Sequence, residues 1–82
     1  MKFVVKVEVS LKPGHSDPEG ESVLRLLREL GYLVDKVGVS KVYTLVFEAS
    51  SVAQASVLAE EMSERLFVNP TKDNCAISVV VE

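Results

Sequence analysis

Residues 42 to 48 read Val-Tyr-Thr-Leu-Val-Phe-Glu, and no other stretch restricts the possible folds as tightly. In an extended strand, successive side chains point to opposite faces. Tyr43, Leu45 and Phe47 then share one face, and Val42, Thr44 and Val46 share the other. A strand in a sheet covered on one side carries polar residues outside. This strand is apolar on both sides, so both faces need cover. Helical patterning supplies only two helices in a chain of 82 residues. A second copy of the chain is the simplest source of the missing cover. Size points the same way, since one small core rarely supplies more than about 3–5 kcal/mol without a disulfide, a metal or self-association. The single cysteine excludes an internal disulfide, and one His with one Cys cannot assemble a metal site.

The rest of the chain alternates strand and helix patterns. Residues 2–12 place Phe3, Val5, Val7, Val9 and Leu11 on one face, against Lys2, Lys6, Glu8, Ser10 and Lys12 on the other. That period of two predicts a strand. Pro13-Gly14 sets a loop. Asp17 then reads as an N-cap and Pro18 as the first residue of a helix, where a missing N–H costs nothing. This first helix runs to about Leu30, buries Val23, Leu26, Leu27 and Leu30, and stops at Gly31. A short second strand is expected around Lys36–Val39 and a third over Val42–Glu48. Ser50 and Ser51 precede a second helix, about Val52 to Phe67, with Ala55, Leu58, Ala59, Met62 and Leu66 as its buried stripe. Asn69-Pro70 ends it. Asn74–Glu82 reads as the last strand, with Cys75 turned inward.

The order is βαββαβ. It predicts an α+β fold of ferredoxin-like type, with two helices on one face of a four-stranded antiparallel sheet, in a single domain over residues 1–82. Composition narrows the function. The net charge of −3 leaves no basic face for nucleic acid. No apolar run is long enough to span a membrane, and the first residues alternate with charges rather than forming a signal peptide. A cytoplasmic home is therefore expected, with no nucleic acid and no membrane as partner.

Catalytic groupings are missing. The glycines at 14, 20, 31 and 38 build no phosphate cradle. A nucleophile needs an oriented base beside it, and Cys75 with His15 is the only Cys/His pair. Cys75 reads as a small buried hydrophobe and His15 as a solvated loop residue. Glu60 and Glu64 share a helix face and read as solvated charges. Three exposed stretches remain: the loop from Lys12 to Pro18, the turn Ser40-Lys41-Val42-Tyr43, and the helix end Leu66-Phe67-Val68-Asn69-Pro70. Each suits a protein contact better than a reaction. The candidate contact residues are Asp17, Pro18, Lys41, Val42, Tyr43, Thr44, Leu45, Val46, Asn69 and Pro70. No catalytic, cofactor or metal residues are assigned.

Five stretches, in order, resemble a known family. They are Val7–Gly14 with its Leu-Lys-Pro-Gly turn, Asp17-Pro18-Glu19-Gly20, Leu27 through Gly31-Tyr32, Lys41 entering the third strand, and Glu61-Met62 with Leu66, Asn69 and Pro70. Together they resemble PurS, the small subunit of phosphoribosylformylglycinamidine synthase, nearly end to end. His15-Ser16, Ser40 and Thr71–Cys75 depart from the family pattern. The resemblance implies a subunit with no active site and no bound cofactor of its own. It implies a homodimer or higher assembly, with strands and helices exchanged between protomers. The implied partners are the PurL synthetase and the PurQ glutaminase, in a complex that uses ATP and magnesium. That complex converts formylglycinamide ribonucleotide to formylglycinamidine ribonucleotide in purine synthesis, and the small subunit would bridge the two sites between which ammonia travels. A second reading is a small-molecule sensor resembling ACT-like modules, which share the βαββαβ order and would use the glycine-bearing loop at Gly14. A stand-alone enzyme is a third reading.

Overall fold

Strand β1 (Lys2–Leu11) is the middle of the sheet, and its alternation turns Phe3, Val5 and Val7 to one buried face. In the computed structural model, which describes residues 1–82, β1 pairs antiparallel with β2 (Ser40–Glu48) on one side and β3 (Asp73–Val81) on the other. The register sets Val5 opposite Leu45 and Val79, and Val7 opposite Tyr43 and Ile77. These residues form the inner face. Phe3, Val5 and Val7 are completely buried there. Helix α1 (Pro18–Glu29) lies between β1 and β2 in sequence, and helix α2 (Val52–Met62) between β2 and β3.

Helix α2 lies over the inner face and buries Ala55 and Ala59 against the sheet. Small residues there let the helix backbone approach closely. Its start is capped twice. Ser51 Oγ accepts a hydrogen bond from the Gln54 N–H at 3.1 Å, and Gln54 Oε1 accepts one from the Ser50 N–H at 2.6 Å. Beyond Met62 the helix widens into a π turn over Ser63–Phe67, where the Val68 N–H donates to the Ser63 carbonyl at 2.9 Å. The buried Ser63 hydroxyl donates to the Ala59 carbonyl at 2.7 Å.

The π turn corrects one expectation. Ideal α-helical spacing brings Leu66 inward with Ala59 and Met62. The wide turn inserts an extra residue and rotates the end of the helix. Phe67 packs against the core in place of Leu66, which is 79% exposed.

The α+β antiparallel arrangement is as expected, but the sheet has three strands rather than four. Residues 36–39 form no strand. Their alternation reflects half-burial of Val37 and Val39 against the start of α1 rather than a ladder, and the Val39 N–H donates to the Asp17 carboxylate instead of a neighbouring strand. Nor do both helices cover the sheet. Gly20 is the one buried residue of α1, while Leu26 and Leu30 on its expected inner stripe are 56% and 73% exposed. The molecule is correspondingly drawn out to 51 × 27 × 14 Å. Its radius of gyration is 16.2 Å, where a compact chain of this length would measure about 12 Å. No helix is long and apolar enough to cross a membrane.

Candidate functional site

The Asp-Pro-x-Gly start of α1 has a geometric cause. Asp17 Oδ1 accepts a hydrogen bond from the Gly20 N–H at 2.9 Å, which caps the helix. Its other oxygen, Oδ2, accepts one from the Val39 N–H at 3.0 Å. One carboxylate thus ties the helix start to the segment leading into β2. Gly20 is required because the Val37 carbonyl lies only 2.5 Å from where a Cβ would sit. Pro18 follows as the first helical residue.

Beside this junction, at the same end of the sheet, lies an open hollow of about 780 Å³. Val9, Leu11, Tyr43 and Phe67 supply apolar wall. The Tyr43 and Phe67 rings stack with centroids 4.2 Å apart and planes 17° from parallel. The turn at Asn69 forms the far rim and closes on itself. Asn69 Oδ1 accepts from the Thr71 N–H at 3.0 Å, and the Asn69 N–H donates to Asp73 Oδ2 at 2.9 Å. Lys12 ties this turn to β1, with Nζ donating to the Pro70 carbonyl at 2.8 Å and the backbone N–H to the Lys72 carbonyl at 2.7 Å.

The structure therefore gathers Asp17, Lys41, Tyr43, Asn69 and Pro70 around one hollow, although they come from separate stretches of chain. Leu45 lies further along the inner face, packed against the core. Val42, Thr44 and Val46 belong to the outer face, which no element of this chain covers. There Val4 stands between Val46 and Val80, and Glu8 between Val42 and Ala76. Val42, Val46 and Val80 are each more than half exposed.

Two apolar surfaces went unforeseen in the sequence. One is the α1 stripe itself, which reads as core by its spacing. The other is the tip beyond it, where Leu30, Tyr32 and Leu33 stand in solvent and Leu33 is fully exposed. Two large apolar residues directly after the helix-ending Gly31, outside any strand or helix period, were the available signal. In all, the chain exposes 5987 Å², against about 4,900 Å² for a compact monomer of its mass. The excess marks surface awaiting a partner.

Chemistry-bearing residues are scattered. His15 is exposed in its loop. Cys75 is also exposed, not buried as expected, because it lies on an edge strand near Ser63 and Glu64, where the helix above gives way to the π turn. No hydrogen bond orients a base or a nucleophile toward either side chain. The arrangement offers surfaces for proteins to grip rather than groups to transfer protons.

Residues 4–81 match the family model described as PurS, phosphoribosylformylglycinamidine (FGAM) synthase. The chain is 43% identical over 69 residues to the PurS subunit of phosphoribosylformylglycinamidine synthase from Archaeoglobus fulgidus, covering 83% of this chain and 86% of that one. It is 33% identical over 79 residues to the PurS subunit from Methanothermobacter thermautotrophicus, covering 96% and 94%. The fold superposes on Thermus thermophilus PurS with a TM-score of 0.90 at 30% identity, covering 100% and 99% of the two chains. It also superposes on a chain of the PurLQS structure from Thermotoga maritima, with a TM-score of 0.88 at 28% identity and 98% and 99% coverage. The chain belongs to the PurS family of phosphoribosylformylglycinamidine synthase subunits.

Proposed function

We propose that this chain is the non-catalytic assembly subunit of a glutamine-dependent phosphoribosylformylglycinamidine synthase, acting in the cytoplasm as a homodimer between a PurQ glutaminase and a PurL synthetase. The observation that carries this reading is the uncovered apolar surface on a chain without a catalytic grouping. The α1 stripe and tip, the half-open inner side of β2 and the valines of the outer face all need cover that one chain does not supply. The likeness to a chain of the Thermotoga maritima PurLQS structure supports these partners. Two copies exchanging α1 would shelter the stripe of each helix against the inner side of β2 in the other. The outer face and the hollow between Asp17 and Asn69 would then be left for the larger subunits. ATP and magnesium belong to the synthetase in this reading, and this subunit binds no cofactor. Its contribution is to hold two active sites in register so that ammonia passes between them without loss to water.

Reconstitution tests the proposal. The purified chain should elute as a dimer, should co-elute with the glutaminase and synthetase, and should raise glutamine-dependent ATP turnover. Failure to co-elute, with glutamine-dependent turnover unchanged on addition of the chain, would end it. The sensor reading gains nothing here. Gly14 is an exposed loop residue at φ +89° on the rim of an open hollow of about 340 Å³, and the match to a synthase subunit family over residues 4–81 favours the assembly reading instead.

A further inference from the structure

Helix α1 stands away from its own sheet although the sheet has room for it. Tyr43, Leu45 and Phe47 are only partly buried on the inner side of β2, and Val23, Leu26 and Leu30 of α1 lie open to solvent. Folding one onto the other within a single chain would remove apolar area from water. Something opposes that closure. Two connections, residues 12–17 and 30–39, join α1 to the sheet, and both are fastened at the same end. Lys12 holds the first to the turn at Pro70 and Lys72. The Asp17 carboxylate fastens the second to the first, with Oδ1 on the Gly20 N–H and Oδ2 on the Val39 N–H. The Val37 carbonyl fills the space that a side chain at Gly20 would occupy, so the entry to β2 sits directly against the first turn of the helix.

We infer that Asp17 is a positioning residue: its two-way hydrogen bonding holds α1 open, so that the apolar stripe meets a second copy of the chain instead of its own sheet. A closed monomer and an exchanged dimer bury the same kind of surface, and the geometry of the hinge decides between them. Here the hinge is braced in the open setting, and the brace is one half-buried side chain. The inference rests on the pairing proposed above.

Asp17→Asn separates the two bonds. Asparagine caps a helix as well as aspartate does, but its amide nitrogen cannot accept from a second N–H. The full chain is followed by amide hydrogen exchange and by sedimentation equilibrium. We expect the Val39 amide to exchange at least about tenfold faster and the dimer dissociation constant to rise by about tenfold, the worth of one hydrogen bond to a charged group. Protection at Val5 and Val7 should be retained. Asp17→Ser, also a good cap with a single short acceptor, should act in the same direction and serves if the asparagine variant does not fold. Gln54→Ala removes a capping bond at the other helix and should leave the dissociation constant unchanged. Unchanged Val39 exchange or an unchanged dissociation constant in both Asp17 variants overturns the brace. A wild-type chain that stays monomeric at every concentration overturns the pairing instead, and this is seen without any substitution.

Discussion

Dilution should unfold this protein. If two chains fold only as a pair, unfolding releases two free chains, and the thermal midpoint falls as concentration falls. The surface sets the scale of the pairing. Each chain exposes 5987 Å², an excess of about 1,100 Å² over a compact monomer, so a pair that buries it covers about 2,200 Å², within the obligate range. The size of the shift depends on the chain length. Two chains of 82 residues carry about 115 kcal/mol of unfolding enthalpy at about 0.7 kcal/mol per residue, which gives a midpoint shift of about 4 °C for each tenfold change in concentration. Melting curves followed by far-ultraviolet circular dichroism at about 1 and 100 μM should therefore differ by about 8 °C. Superimposable curves across that range would refute the reasoning. They would mean that a protomer with six buried apolar residues in its core folds on its own.

Five substitutions probe the same picture. Phe67→Ala should cost about 2 kcal/mol by loss of the ring packed on Tyr43, whereas Leu66→Ala next to it should stay within about 0.5 kcal/mol in chemical denaturation; equal losses would contradict the π turn. Leu45→Ala should cost about 2–3 kcal/mol and weaken self-association in sedimentation. Leu30→Ser would be nearly neutral if its 73% exposure persisted in solution, so a clear fall in the melting midpoint is expected from pairing and an unchanged midpoint counts against it. Cys75→Ala should leave glutamine-dependent turnover of the reconstituted complex nearly intact, and a large loss with the fold preserved would show that the thiol has a chemical role.

Much of the sheet was legible because period-two patterning is local. Phe3, Val5 and Val7 are core in the sequence and fully buried in the structure. Asp17 and Pro18 announce the start of α1, and Ser51 announces α2. The misjudged positions depend on information that local pattern does not carry. Leu26 and Leu30 have the spacing of a buried stripe, and spacing cannot say which molecule buries them. Val37 and Val39 alternate like a strand, but the alternation serves the junction with Asp17. Phe67 replaces Leu66 because hydrogen bonding widens one turn, a choice that the stripe preceding it does not reveal. Cys75 has the parity of an inward residue and lies where the cover ends. The candidate contact residues were found as separate stretches; that five of them ring one hollow is a fact of three dimensions.

The widened turn at Ser63–Phe67 has a consequence for how such chains vary in length. An α-helix that accommodates one surplus residue in a local swelling keeps both neighbouring elements in place, since the strand after it begins at the same point on the sheet. Chains of this shape can therefore gain or lose a residue there while every rung of the ladder stays matched, and the aromatic stack on Tyr43 would register the change first. The swelling takes up the surplus residue at the end of α2, ahead of the turn that leads into β3.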